Sequence, residues 1–530
     1  MKTRTWGRLS RARVVLCLGV ICLFSLTGCT SSTDSPEAST AVLRIGLDTA
    51  PQHLDPRFGL DAASYKVSQL LYNGLVRLDA QARIVPELAL SWDTPDATTY
   101  IFHLRRDVRW HDGRPFTAAD VHYTFTSLLD PETQSPKRGS FDNIRSVDVL
   151  ADDRVQFVLS EPFAPFLSSN MTLPIIPPPR EGEAQRNLDA HPIGTGPFVF
   201  VKQEPDVSLH LRANAAYFES KPSVDEVVFR ILPDAMVRLF ELQKGNIDLL
   251  QNVLPPDLLS RLGEDRQFNV MKSPGTNFMY VGLNSRDPIL RHVQVRQALA
   301  HAIDRQALIQ HVLHGLAQPA DGILPAGHWA YEPQVSRYAY DPERAAQLLD
   351  AAGFPDPDGV GPQARFQLQY KTSQNEVGRR IAEVIQESLR NVGIAIEIRS
   401  YEWGTFFGDI RAGNFQLYAL TWVGVTDPDI FHYVLHSQSI PPAGANRGRY
   451  VNLYLDALLD QGRRATALEQ RRAAYSEAQA ITASELPYIP LWHDTNVAVL
   501  RTTFTGYSLP PAGDYRAIQS IRRQSSDRAS

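Results

Sequence analysis

Several residues in this 530-residue chain have the types and spacing to do chemistry. His311 and His314 stand three apart, which puts two imidazoles on one helix face and can hold a metal. No carboxylate follows at matching spacing, so no metal site is expected there. His111-Asp112-Gly113 joins an imidazole to a carboxylate, but Asp-Gly is a hairpin-turn pair, and a turn is the expected use. Gly194-Thr195-Gly196-Pro197 mimics a phosphate loop, yet no lysine follows it. It reads as a tight turn whose glycines take positive φ. The sequence holds no G-x-S-x-G, no H-E-x-x-H and no phosphate loop with lysine, so no catalytic residues and no enzyme are expected. Binding chemistry remains. Trp422 offers a ligand a large flat surface at small entropic cost. Tyr401, Trp403 and Phe406 form a second aromatic cluster. Arg447, in a Gly-rich loop with Asn446 and Tyr450, can grip a carboxylate with two N–H groups. Asp427 and Asp429 flank Pro428, where an Asx-turn or cap competes with ligand contact. For Trp422 and Arg447 the alternatives are a core Trp at a strand end and a solvated loop Arg.

Composition narrows the field. Lys+Arg number 53 against 58 Asp+Glu, a net charge of −5, so a nucleic-acid partner is not expected. Apolar residues at 43% and charged residues at 21% describe a globular chain, long enough for two to four domains or two large lobes. The three cysteines are Cys17, Cys22 and Cys29. With none after Thr30, disulfides, zinc ribbons and thiol catalysis are excluded from the body of the chain.

The first residues read as an address. Lys2, Arg4, Arg8, Arg11 and Arg13 form a basic head, and Val14 to Leu26 is apolar but too short to span a bilayer, the layout of a secretory leader. Leu26-Thr27-Gly28-Cys29 resembles the bacterial lipoprotein box. The resemblance implies cleavage before Cys29 and lipidation of its thiol, which anchors the chain to a membrane. Residues 1–28 are then the leader. Residues 29–41 are the lipidated cysteine and a flexible tether, too polar to fold.

The elements that must position the candidate residues alternate between two periods. Leu43, Ile45 and Leu47 repeat every second residue, as do Tyr100, Phe102 and Leu104, and Val207, Leu209 and Leu211. Val227 to Leu232 and Ile247 to Leu250 read as strands around a helix capped by Asp234 and ended by Gly245. Asp341-Pro342 opens a helix that closes at Gly353. Glu376 to Val392 is helical, Gly393 stops it, and Ile394, Ile396 and Ile398 alternate as a strand. Leu417 to Thr421 is a strand with Trp422 at its carboxyl end, where open α/β sheets place ligands. Helix–Gly–strand units of this kind argue an α/β fold.

A run of motifs then resembles the extracytoplasmic solute-binding proteins of peptide, nickel and opine ABC importers, over nearly all of Val42 to Ile521. It begins at Leu54-Asp55-Pro56 and continues through Leu71-Tyr72-Asn73-Gly74-Leu75, Val85-Pro86-Glu87-Leu88-Ala89, and Tyr100 to Phe116. Gly194 to Phe198, Val295 to Ala298, Ala302 to Arg305, Tyr401-Glu402-Trp403 and Trp422 with Asp427-Pro428 follow in the family's order. The resemblance implies the type II periplasmic-binding-protein fold in its large variant: two α/β lobes, an extra subdomain, and a ligand cleft between the lobes. Lobe I is expected over 42–277, with the extra subdomain at about 76–190, and lobe II over 278–485. Residues 486–530 return to lobe I as a C-terminal tail. Crossing strands are placed near Phe278–Asn284 and Leu486–Leu491.

The implied function is a lipid-anchored, monomeric receptor in the bacterial cell envelope, on the periplasmic face if the cell is Gram-negative. It captures a small peptide or peptide-like solute without a cofactor and hands it to ABC permease and ATPase subunits. A ligand sensor of the same fold is the alternative, with a cell-surface hydrolase behind it. The chain departs from the peptide binders at two anchors. Either Val425 stands where their Asp pairs with the ligand ammonium or the loop is one residue shorter, and Thr372 lies nearest their carboxylate-binding Arg, with Lys371 able to serve only if the register slips. Asp427 or Asp61 is the candidate substitute for the missing acid. An ordinary free dipeptide is therefore expected to bind poorly, because an unpaired buried ammonium is costly, and a blocked or modified peptide, or a non-peptide solute, is the expected ligand.

Overall fold

The computed structural model describes residues 40–180, 187–359 and 361–524. The expected leader, Cys29 and the expected tether up to Ser39 lie outside the described residues.

Local chemistry sets the helices. Asp234 accepts the N–H of Val237 and starts the helix Ala235–Gln243. Asp341 caps Pro342–Ala351, and Asn375 caps Glu376–Arg390. Gly245, Gly353 and Gly393 follow these helices with φ of +81°, +89° and +79°, a turn that glycine makes without strain. Glu376–Arg390 buries Ile381, Ile385 and Leu389 on one stripe and leaves its charges outside. Ile394–Tyr401 then runs parallel to Phe366–Ser373. Two strand ends differ from the expectation. Val207 is exposed outside the strand Ser208–Ala213, and the strand after Gly245 is Leu249–Gln251.

One large mixed sheet organises the chain. Its order runs Ile394–Tyr401, Phe366–Ser373, Leu417–Trp422, Phe268–Leu283, Tyr488–Arg501, Leu249–Gln251, Val42–Leu47, Glu226–Ile231, Ser208–Ala213 and Phe198–Glu204. The two long strands at its centre are antiparallel partners. Phe268 to Pro274 pair with Arg501 to Thr495; the register then slips, and Phe278 to Gly282 pair with His493 to Tyr488. Beyond the slip Phe268–Leu283 takes Leu417–Trp422 as its other neighbour. On the opposite side of the slip, Tyr488–Arg501 pairs with Leu249–Gln251. Each long strand thus serves both halves of the molecule.

The halves bury separate cores, as layered α/β units must. In the first half Leu43, Ile45, Leu47, Phe198, Phe229 and Leu249 close one cluster. In the second, one sheet face packs Val281, Leu368, Ile385, Leu417 and Leu491. The other face packs Tyr280, Phe406, Tyr418, Leu455 and Tyr475. An inserted unit carries its own four-stranded antiparallel sheet, made of Ala89–Asp96, Thr99–Leu104, Arg154–Leu159 and Ile144–Ala151. Phe102, Phe125, Phe157 and Phe166 fill the space beneath it, with Phe125 and Phe157 edge to face at 4.9 Å.

Two motifs acquire structural roles. Asp112-Gly113 is a turn, with Gly113 at φ +87° and the Trp110 N–H bonded to the Arg114 carbonyl at 2.9 Å. Gly194 and Gly196 are glycines for a different reason from the one expected. Neither has positive φ. A Cβ on Gly194 would lie 1.8 Å from the Leu71 carbonyl oxygen, and one on Gly196 would lie 2.5 Å from the Leu71 carbonyl carbon. The segment lies against the carboxyl end of the helix Ala62–Leu71, so close approach, not turn geometry, excludes a side chain. His111 holds it there, accepting the Gly194 N–H and contacting the Gly196 carbonyl.

Glu87 is fully buried and ties distant segments together. It accepts the Asn73 Nδ2 and the Gly74 N–H, each at 2.9 Å, and pairs with Arg516. The Leu71-to-Leu75 and Val85-to-Ala89 motifs are thereby joined to the helical turn Arg516–Ser520.

Candidate functional site

Three chambers of about 300–330 Å³ each form one groove where the halves and the inserted unit meet. The inner chamber lies between His53, Ser64 and Tyr65 and the inserted unit's Lys137, Phe141 and Ser169. It shares Tyr65, Thr172 and Pro174 with the middle chamber. The middle chamber is walled by Arg77, Asp79, Asp514 and Arg516, with Thr276 and Thr426 from the far side. The third chamber shares Ala80, Ala82, Thr276 and Pro511 with the middle one and reaches the long strands at His493 and Asp494. This is the size and mixed lining of a small-molecule cleft.

Burial shapes the groove's charges. It pushes the Lys137 ammonium down despite nearby Asp55. It pushes Asp514 and Asp494 up. The His493 imidazole is driven down to about 4, so it is neutral near pH 7. Burial also works to lower the Arg516 guanidinium, but Glu87 and Asp514 outweigh it and the net shift is upward.

The inserted unit touches the second half at one side of the groove. Ser168 of the inserted unit donates to the Asp427 carboxylate at 2.5 Å, and Asp427 also accepts from Arg471 at 3.1 Å. The Ala164 N–H donates to the Arg463 carbonyl at 2.7 Å, and the Arg463 guanidinium lies over the Phe163 ring. Asp429 is pushed up to about 6 by burial, against the pull of Arg463.

The other expected binding residues fall into four settings. Trp422 and Arg447 come together: the guanidinium sits 4.6 Å from the indole centroid and 5.1 Å from the Phe407 ring, while Trp403 stacks on Phe407. Arg447 donates to the Tyr280 hydroxyl, and Trp422 stacks on the Tyr280 ring. Trp422 is half-buried at the end of its strand; its loop reaches the groove through Thr426. Asn446 and Tyr450 are buried. The Asn446 amide donates to the Leu435, His436 and Tyr450 carbonyls, and the Tyr450 hydroxyl donates to Glu485. Asn446→Ala is therefore expected to lower stability by about 2 kcal/mol by orphaning these carbonyls, with solute affinity unchanged; chemical denaturation and calorimetry check both. Tyr401 lies under the Lys371 ammonium. Asp61 caps the helix Ala62–Leu71 through the Ser64 N–H and hydroxyl.

Val425 is buried in the second half's core, and its N–H donates to the Thr276 carbonyl. Thr372 is buried, and Lys371 pairs with Asp409 at 2.7 Å. His314 lies 2.6 Å from Asp257. His432, His436 and Asp460 converge as well. However, the His436 Nδ1 accepts the Gln438 N–H, and an Arg463 nitrogen stands 3.3 Å from the His432 Nδ1. A fixed positive charge at that spot disfavours a metal ion. Sequence reasoning missed Lys137, Arg516 and Asp494. Each reaches the groove only through long-range packing, and none belongs to a local pattern.

Residues 83–440 match the family model of bacterial extracellular solute-binding proteins, family 5 Middle. The chain is 31% identical over 494 residues to the Dipeptide-binding protein of Escherichia coli K12, covering 88% of this chain and 92% of that protein. It is 30% identical over 524 residues to Heme-binding protein A of Haemophilus influenzae, covering 93% of this chain and 94% of that one. The solved structure of HbpA2 from Haemophilus parasuis superposes with a TM-score of 0.81 at 28% identity, over 91% of this chain and 100% of that chain. With its groove between two α/β lobes and its inserted subdomain, this chain belongs to the bacterial extracellular solute-binding proteins of family 5, built on the type II periplasmic-binding fold, and is a binding protein rather than an enzyme.

Proposed function

We propose that this protein is the lipid-anchored solute receptor of an ABC importer and delivers a peptide or peptide-like solute to a membrane permease. The observation that carries the reading is the continuous groove walled by both halves and the inserted unit. Relatives named for dipeptide and heme binding point to the same class of cargo. The slip at Pro274–Phe278 opposite His493–Thr495 is the hinge about which the lobes close. Closure expels water and strengthens the polar contacts made to the solute. Cys29 carries the lipid, so mass spectrometry of the mature protein is expected to find Cys29 as the first residue with its thiol acylglyceryl-modified.

Native mass spectrometry of gently purified protein tests the reading: a retained mass in the peptide range supports it, and a retained sugar or lipid overturns it. Trp422, seated against Arg447 and Tyr280, forms part of the closing lobe's face. Trp422→Ala is expected to weaken solute binding about tenfold while the protein stays folded. Loss of stability with affinity unchanged would assign the indole to packing alone.

A further inference from the structure

The groove's charges are nearly all compensated within the protein. In the middle chamber Arg77 pairs with Glu219 at 2.5 Å, Asp79 with Arg83 at 2.8 Å, and Arg516 with Glu87. Asp514 accepts the Arg516 N–H and lies in the field of that guanidinium and of Lys66. In the third chamber Asp321 pairs with Arg337 at 3.2 Å.

Asp494 is different. It lines the third chamber from the strand Tyr488–Arg501. One carboxylate oxygen accepts the Trp492 Nε1–H at 3.1 Å, and the other accepts the Asn277 Nδ2 at 3.3 Å. The Asn277 amide is itself oriented, since its oxygen accepts the Gly424 N–H at 3.0 Å. Both partners are neutral, and among the described residues no cation pairs with this carboxylate. The chamber's two imidazoles, His328 and His493, are both held down by burial and add no positive charge near neutral pH. The remaining walls include Pro274, Ala320, Leu324 and Pro511. A lone anion, held in fixed geometry in a chamber of about 330 Å³, lacks a counter-ion.

We propose that this chamber seats a primary ammonium, the free amino end of a peptide, with Asp494 as its counter-ion. The proposal rests on the peptide reading above and names the end of the peptide that each chamber takes. The far end of the groove has the opposite character. Lys137 lines the inner chamber with its ammonium on the Pro56 carbonyl at 2.7 Å and no carboxylate in ion-pair contact among the described residues. The inner and third chambers share no lining residue, so a solute meeting both charges must cross the middle one. That fits a peptide longer than two residues with both ends free.

The test uses the full chain, stripped of bound solute, and two libraries of tri- to pentapeptides: one with free amino ends, the other N-acetylated. Bound species are read by native mass spectrometry and affinities by calorimetry. The wild type is expected to prefer free amino ends at least tenfold. Asp494→Asn, which keeps the size and one accepting oxygen but puts an NH2 opposite the second donor, is expected to abolish that preference, with thermal denaturation confirming that the variant stays folded. Asp494→Glu, which keeps the charge, is expected to restore part of it. Wild-type protein that binds both libraries equally overturns the Asp494 assignment alone. Wild-type protein that binds neither overturns the peptide reading and this assignment with it. An Asp494→Asn variant that keeps the tenfold preference also overturns the assignment.

Discussion

Replacing Arg516 by methionine is expected to lower the free energy of unfolding by about 3–5 kcal/mol, the usual cost of breaking a buried ion pair. Glu87 is fully buried, and Arg516 is its direct cationic partner. Arg77 also reaches to 4.0 Å from Glu87, but it is engaged by Glu219 at 2.5 Å. The variant leaves a carboxylate that still accepts from Asn73 and Gly74 yet has lost its closest positive charge. Urea denaturation at pH 7 reads the loss. Adding Glu87→Gln should recover part of it, because the orphaned charge goes too. A single variant within 1 kcal/mol of wild type would show that the pair contributes little.

Acid should destabilise the protein well before its carboxylates titrate in bulk. Burial drives the imidazoles of His111 and His493 down to about 4 and that of His432 to about 3. An unfolded chain titrates its histidines near 6.5. Between about pH 6.5 and 4 the unfolded state therefore binds protons that the folded state refuses, and stability falls as pH falls. At 1.36 kcal/mol per pH unit, the effect for His493 alone is on the order of 3 kcal/mol. Asp429 works in the other direction. Pushed up to about 6, it takes a proton in the fold before the unfolded chain does, which favours the fold as pH drops from about 6 toward 4. Asp120, Asp248, Asp494 and Asp514, also raised by burial, act with Asp429, and His328, lowered by burial, acts with the other histidines; the larger displacements are those of the three histidines, which leaves a net loss. Urea midpoints at pH 7.5, 5.5 and 4.5 should decline in that order, with His493→Asn flattening the slope. Midpoints independent of pH would contradict the neutral-imidazole assignment.

Much of the fold was legible because its signals are local. Asp234, Asp341 and Asn375 cap the helices they precede, and Gly245, Gly353 and Gly393 end them, through contacts within a few residues. Features decided by distant partners were harder to read. Gly194 and Gly196 are constrained by Leu71, far back in the chain, and nothing in their neighbours' identities reveals that approach. The Gly-rich loop around Asn446 looked accessible, but the asparagine amide serves the carbonyls that end the helix Ile430–Leu435 and is buried in doing so. Trp422 was placed correctly at a strand's carboxyl end, since strand ends follow from periodicity. Asp494 carried no local signal. Its setting arises only when the two long strands pair and Asn277 and Trp492 converge on it.

The central position of Tyr488–Arg501 has a consequence for synthesis. Both α/β cores contain residues of this strand: Leu491 in one, Ala498 and Leu500 in the other. Until the ribosome has added residue 501, neither half possesses this central strand, and the nascent chain cannot complete the large sheet. Completion comes at the end of translation, in one late step that joins sequence-distant segments. Outside the inserted unit, which has its own sheet and core, a polypeptide so arranged leaves its two halves open while it is being made, the state that threading through a narrow export channel requires.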